Sequence, residues 1–193
     1  MTRFQWLLAV SVDLATGQRA RASRALRKAV SSRTVRPGEA AEAILHLALL
    51  CGIPTCLDGL DRLAGITGRL SLRRDASSRR RGLKAFRDIY GNQADVVLRR
   101  LRALDPFLEK WIIRDVYGTV YSRDGFPLKE RAIITGIILG IQRLDRQSAS
   151  HIRGALLLGV RPFEMIRWFG FAERRSKKKL RSARLALARF ASA

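Results

Sequence analysis

The amino-acid sequence predicts an all-helical protein, a helical bundle of two related units joined by a basic linker and followed by a basic helix. Apolar residues recur at three- and four-residue spacing along most of the chain, and no stretch alternates as a half-buried strand would. The segment Val-Arg-Pro-Gly-Glu at 35–39 also recurs as Val-Arg-Pro-Phe-Glu at 160–164, each time opening a predicted helix. An internal match in equivalent places predicts a duplicated helical unit.

The first half predicts four helices. Residues 4–15 have helical apolar spacing, and residues 18–30 set an Ala/Leu stripe against an arginine stripe. Pro37 opens the third helix, with glutamates in its first turns as the helix dipole prefers. That helix reaches Gly52, and a short helix follows at 57–63.

Between the units, residues 67–84 predict a basic linker. They are rich in Ser, Gly and arginine and have little apolar periodicity. Arg79, Arg80 and Arg81 are consecutive, so they cannot share one helix face. We therefore expect an extended segment here.

In the second half, helical spacing returns from residue 85, and Pro106 opens another helix. Residues 129–141 are almost wholly apolar after the start, which predicts a central buried helix. Another helix spans 145–158, and the last segment predicts a helix with one apolar face and cations elsewhere. The predicted units are therefore 1–66, a linker 67–84, a second unit 85–173 and a basic terminal helix 174–193.

Net charge is +22 and is unevenly distributed. Residues 18–36, 67–88 and 174–193 carry seven, eight and eight basic residues, with only two acids among them, so the rest of the chain is nearly neutral. Such segregation favours binding to phosphates. The predicted nucleic-acid-binding residues are Arg21, Arg24, Arg27, Lys28, Arg73, Arg74, Arg79, Arg80, Arg81, Arg174, Arg175, Lys177, Lys178, Lys179, Arg181 and Arg184.

The cysteines and the lengths of the apolar runs indicate the cellular compartment. Cys51 and Cys56 fit neither a redox nor a zinc pattern, so we predict reduced core thiols, no metal site and a reducing compartment. No apolar run approaches the length of a membrane helix. Residues 1–36 are Arg- and Ser-rich with one acid, as mitochondrial presequences are, and they equally read as a structural helix. The expected location is mitochondrial, with cytoplasmic as the alternative.

A longer motif occupies the second unit. It comprises Gly118, Tyr121, Ser122, Arg123, Gly125, Leu128, Lys129, Glu130 and Arg131, followed by His151-Ile152-Arg153-Gly154-Ala155-Leu156 and Gly159-Val160. This motif resembles the carboxymuconolactone decarboxylase family, which includes the alkylhydroperoxidase-D-like proteins, and residues 42–54 resemble the closing half of the same unit. The resemblance implies a compact all-helical fold, tandem duplication and ring-like or pseudo-symmetric oligomers.

The resemblance implies one of two chemistries. Peroxidase-like members need cysteines seven and four residues before the histidine, where this chain has Leu144 and Gln147, so that activity is excluded. Decarboxylase-like members need no cofactor. For that chemistry the resemblance implies His151, Glu130 and Arg153 as catalytic residues, although Leu26 replaces the histidine in the first unit.

Three functions remain open at this point. Charge segregation favours a non-catalytic family descendant that contacts RNA as a subunit of a large ribonucleoprotein, with a mitochondrial ribosome as the expected setting and ribosomal RNA and neighbouring proteins as partners. The first alternative is a structural subunit or assembly factor of another large complex, whose basic arms lie on acidic protein or anionic lipid. The second is a cofactor-free decarboxylase of a carboxylated lactone.

Overall fold

Residues 1–68, 70 and 78–191 are described by a computed structural model, and within them the chain forms helices and no strand. The all-helical prediction is therefore confirmed. The α-helices are α1 Arg3–Ala15, α2 Arg19–Ser31, α3 Pro37–His46, α4 Ala48–Cys51, α5 Ile53–Thr67, α6 Arg79–Tyr90, α7 Ala94–Leu104, α8 Pro106–Trp111, α9 Leu128–Ile141, α10 Asp145–Leu157, α11 Pro162–Ser176 and α12 Arg181–Ala191. A 3₁₀ turn at Gly91–Gln93 and a π-helix at Ile112–Tyr121 complete the order.

The repeated motif marks a repeated three-helix pattern. Helices α9, α10 and α11 begin 125 or 126 residues after α1, α2 and α3. Both copies of the motif cap a helix in the same way, because the Arg36 and Arg161 backbone N–H groups each donate to the glutamate three residues on, at 3.0 Å. The exact bounds of the two units stay a prediction.

The main apolar cluster draws on both halves of the chain. Buried residues from α1, α3, α9 and α11 join in it, among them Leu8, Ile44, Ile137 and Phe169. Every residue of α9 from Arg131 to Ile141 is buried, which confirms the predicted central helix. The two three-helix patterns therefore share one core, of which α9 is part.

The predicted extended linker is wrong at its end. Ser78 caps α6, with its hydroxyl accepting from the Arg81 backbone N–H at 3.3 Å, so Arg79, Arg80 and Arg81 lie in a helical turn. Tertiary packing favours the helical conformation here, because α6 buries Ala85, Phe86 and Ile89 on one face. Arg73 and Arg74 lie outside the described residues.

Helix α6 packs very closely on the π-helix, a feature that the sequence did not predict. A Cβ atom on Gly82 would lie 1.9 Å from the Ile113 carbonyl oxygen, and one on Gly118 would lie 2.4 Å from that of Ser78. Only glycine permits this backbone contact. The contact fixes the π-helix that carries Tyr117 and Tyr121.

The apolar face predicted for the basic terminal segment is buried, but the predicted helix bounds of 174–193 are wrong, because α11 continues to Ser176 and α12 begins only at Arg181. Leu180, Ala183 and Leu187 are buried, with 2%, 2% and 3% exposure. Of the nearby aromatic residues, Phe169 is fully buried and Trp168 packs edge-on against Phe4. Within the described part of the chain, no helix combines the length and apolarity needed to cross a bilayer.

Candidate functional site

A cleft of about 730 Å³ lies where α1, α3 and α6 meet the loop before α9. Its volume is within the range of small-molecule sites. Apolar surface from Ala85, Tyr121, Phe126 and Leu128 lines part of it. Three carboxylates also line it, and five basic residues outnumber them: Arg3, Arg36, Arg81, Lys84 and Arg123.

Arginines on either side of Glu39 organise one wall of the cleft. Arg3 Nε lies 2.7 Å and Arg36 Nη2 3.1 Å from Glu39 Oε1, while Arg3 Nη1 lies 2.8 Å from Glu130 Oε2. Burial alone would raise the pKa of Glu39, but hydrogen bonds from Arg36 and Arg3 outweigh it and lower the pKa to about 2. Glu39 is therefore ionised at neutral pH and does not supply a proton.

Below the loop, Glu42 binds two arginines. Arg123 Nη2 donates to it at 2.6 Å and Arg131 Nη2 at 3.3 Å. Arg131 is fully buried and also donates from Nε to the Phe126 carbonyl at 3.1 Å. Burial lowers the pKa of Arg131 to about 10, which leaves it cationic at neutral pH. These bonds hold the cleft loop against α3 and α9.

One helical turn further on, a second polar contact joins the same two helices. His46 follows Glu42 by four residues on α3, and Thr135 follows Arg131 by four on α9, so each pair shares a helix face. The Thr135 hydroxyl lies 2.9 Å from His46 Nε2 and 3.0 Å from the Tyr121 hydroxyl. Tyr121 lines the cleft, and the hydrogen bond of its hydroxyl to Thr135 fixes the position of its side chain.

Two histidines flank the Tyr121 ring. His46 packs edge-on with ring centroids 4.8 Å apart, and His151 stacks at 6.0 Å. Burial lowers the pKa of His151 to about 4 and that of His46 well below its ordinary value. Both imidazoles are therefore neutral at pH 7. Three buried nitrogens around Tyr121 lack a hydrogen-bond partner among the described residues: His46 Nδ1, His151 Nδ1 and Arg131 Nη1.

The three predicted catalytic residues do not form one group. Glu130 pairs with Arg3, whereas Arg153 donates to the Tyr90 carbonyl at 2.9 Å and to Asn92 Oδ1 at 2.6 Å. His151 packs against Tyr121, and none of the three lines the cleft. Their catalytic role stays a prediction.

The site residues predicted from the sequence did not include Arg36, Tyr121, His46 or Thr135. Two of these could have been found, because Arg36 lies in the repeated motif and Tyr121 in the family-like motif. The contact of His46 with Thr135 could not be predicted from any sequence motif, because 89 residues separate the two.

The two cysteines are separate from the cleft lining. Cys51 is half-buried and Cys56 buried, and both are free thiols. Burial raises the pKa of Cys51 to about 11, so little thiolate forms at neutral pH.

The predicted nucleic-acid-binding residues separate into internal and surface groups. Arg21 and Arg175 both approach the buried Asp13, at 3.6 and 2.5 Å, and Arg184 pairs with Glu173 at 2.8 Å. Arg79 pairs with Glu109 at 3.4 Å, and Arg81 lines the cleft. Exposed residues without an ion pair to any described carboxylate are Arg24, Arg27, Lys28, Arg80, Arg174, Lys177, Lys178, Lys179 and Arg181.

Asp13 also brings two basic elements together. Arg21 Nη1 donates to the Arg175 carbonyl at 3.0 Å, which places α2 beside the end of α11. The start of α2 therefore lies beside the end of α11.

No family model matches the chain. Over 88 residues, 44% of the chain, it is 33% identical to the nitrosuccinic acid decarboxylase of Metarhizium robertsii. The match covers 59% of that relative, so the chain spans about three fifths of its length. Part of this protein is thus similar to a decarboxylase.

Proposed function

We propose that this protein is a decarboxylase of a small organic acid, related to the carboxymuconolactone decarboxylase family and working without a cofactor. The single observation that carries the proposal is the cleft, where five basic side chains adjoin an apolar surface formed by Ala85, Tyr121, Phe126 and Leu128. The partial similarity to a decarboxylase supports the same chemistry.

The cleft offers both effects that decarboxylation requires. An apolar surface disfavours an ionised carboxylate, which loses its charge as CO₂ departs. Cations held nearby stabilise the negative charge that remains on the substrate carbon or on a group conjugated to it. Arg123 is a fixed cation of the cleft, because Glu42 binds its Nε and Nη2.

Arg36 is suited to hold a second anionic group of the acid. Its side chain is 79% exposed, and it stands beside Glu39 at the cleft wall. His46, Thr135 and Arg131 act as positioning residues, since they fix Tyr121 and the loop without lining the cleft. The His151 imidazole is neutral and packs on the same tyrosine, which gives it a positioning role in this proposal.

The test is direct turnover. Purified protein is mixed with nitrosuccinic acid, the acid named in the relative, and separately with a carboxylated lactone, and CO₂ release is measured together with proton uptake. One proton should be taken up for each carboxylate lost as CO₂. Absence of CO₂ release from either acid, in protein shown to be folded, would contradict the proposal.

A second candidate is RNA binding, which the exposed basic surface of α2 and the segment after α11 favours. Arg24, Arg27 and Lys28 are exposed on α2 without an ion pair to a described carboxylate, and the same holds for Lys177, Lys178 and Lys179 after α11. We propose here an RNA-contacting subunit of a large ribonucleoprotein, in the setting of a mitochondrial ribosome. Such contacts neutralise phosphates without reading sequence.

Salt dependence tests this candidate. Binding to a structured RNA should weaken linearly on a log–log plot against salt, and changing Arg24, Arg27 and Lys28 to Gln should reduce the slope by about three. A matched triple change of the exposed Arg99, Arg100 and Lys110 should leave the slope unchanged. A flat salt response in the unmodified protein would remove the candidate.

A further inference from the structure

A second cavity, of about 460 Å³, lies between the end of α9 and the start of α12. It shares no lining residue with the cleft. Four basic side chains line it, and the one carboxylate is Asp145, whose Oδ2 accepts from the Ser182 hydroxyl at 2.9 Å. The basic residues are Arg143, Lys178, Lys179 and Arg181.

The cavity has a rigid apolar wall. A Cβ atom on Gly140 would lie 3.0 Å from Leu180 Cδ2, so α9 and the start of α12 are in close contact there. Leu180 is 2% exposed, and its backbone N–H donates to Glu173 Oε1 at 2.9 Å. The backbone that carries the basic side chains is therefore held in place by packing. This packing keeps the basic residues close together although their like charges repel.

Arg143 adopts a backbone conformation that residues with a Cβ rarely take. Its φ is +65°, in the left-handed region that favours glycine. The equivalent turn after α1 has Gly17 there, with φ +71°. The two turns also share their hydrogen bonds, since Gly17 N donates to Leu14 O and Arg143 N to Gly140 O. An arginine thus replaces the residue that this turn prefers, and its side chain lines the cavity.

None of the four basic residues forms an ion pair with a carboxylate in the described part of the chain. A guanidinium binds two oxygens at once, and ammonium groups add further donors, so the set suits an anion with several oxygens and more than one charge. A carboxylate has one charge and two oxygens, whereas a phosphate group has up to two charges and at least two free oxygens.

We propose that this cavity binds a phosphate group, with Arg143 as its principal ligand. The proposal does not rest on the decarboxylase activity proposed above. The group comes either from a small phosphorylated molecule or from a nucleic-acid backbone, and two probes separate these sources.

The experiment uses isothermal titration of the full chain with inorganic pyrophosphate and, separately, with a short structured RNA. Arg143→Gly should retain or raise the thermal unfolding midpoint, because glycine suits the left-handed turn. The same change should weaken binding about tenfold through loss of one charge-assisted contact.

Arg33→Gly is the matched control. Arg33 is exposed, has φ +55° and lines none of the cavities described, so this change removes the same charge and relieves a similar backbone conformation. Weakening of pyrophosphate binding by Arg143→Gly alone supports a small phosphorylated ligand. If pyrophosphate does not bind, and RNA binding is weakened by Arg143→Gly but not by Arg33→Gly, the phosphate group comes from a nucleic-acid backbone. No binding of either probe, or equal effects of both variants, overturns the proposal.

Discussion

The helices α1–α3 and α9–α11 share one pattern and differ in their surroundings. In both, an arginine and a glutamate three residues later cap the third helix. Arg36 of the first pattern lines the cleft, whereas Arg161 of the second stacks its guanidinium over Phe163, 4.4 Å from the ring centroid. Local sequence therefore sets the cap in both places, and the neighbouring helices decide what else the cap residue contacts.

A second difference concerns buried positions. Leu26 and His151 are 125 residues apart, and their exposures are 1% and 7%. Leucine satisfies such a site by packing alone, whereas the histidine brings a polar ring against Tyr121. The first pattern thus has an apolar residue where the second has a histidine that packs against Tyr121.

The largest effect should come from the buried charge cluster. Glu42→Gln should lower the free energy of unfolding by about 3–5 kcal/mol, because it leaves the buried Arg123 and Arg131 without their shared carboxylate. Urea unfolding measures this. Arg167, 125 residues later, is exposed, and Arg167→Gln should change stability by about 0.5 kcal/mol at most. Equal effects would mean that the buried cluster does not distinguish the two patterns.

The next effect is pH-dependent. The His151 pKa falls from 6.5 to about 4 on folding, so between these values the unfolded chain binds more protons. Stability should therefore be fully present above about pH 6.5 and should fall as the pH drops toward 4, with His46 acting in the same direction. Between pH 7.5 and pH 5, the titration of His151 should lower the free energy of unfolding by about 2 kcal/mol.

His151→Leu tests that effect by giving the second pattern the residue of the first. Urea midpoints at pH 7.5 and 5 should differ less in this variant, whereas Ser150→Ala should retain the full difference. An unchanged pH dependence in His151→Leu would show that His151 does not titrate as its burial implies.

A smaller effect should separate the two capping glutamates. Glu39→Gln should cost about 2 kcal/mol, since Glu39 also binds Arg3 and its side chain is only 9% exposed. Glu164→Gln should cost about 0.5 kcal/mol, since its side chain is 34% exposed and pairs only with Arg161 among described residues. Thermal unfolding at pH 7 compares them, and equal losses would contradict the difference in surroundings.

The buried α9 and the helices that begin at Pro37 and Pro162 were predictable because they depend on periodicity and short motifs. The predicted third helix to Gly52 is wrong in its extent, because α3 ends at His46 and α4 spans Ala48–Cys51. The helical start of α6 was not predictable, because it depends on the burial of its apolar face and on the close contact of Gly82 with the π-helix. The cleft was only partly visible in the sequence. Tyr121, Arg123 and Leu128 belong to the family-like motif, but the contact of His46 with Thr135 joins α3 to α9 and depends on the tertiary fold.

We propose that the cleft beside the first pattern performs decarboxylation. The most direct measurement compares steady-state CO₂ release in Arg36→Gln and Arg161→Gln, which remove the same charge from equivalent caps. Arg36→Gln should raise KM about tenfold, as loss of one charge-assisted contact implies, whereas Arg161→Gln should leave KM unchanged. Equal kinetics in the two variants, or a larger effect from Arg161→Gln, would contradict it.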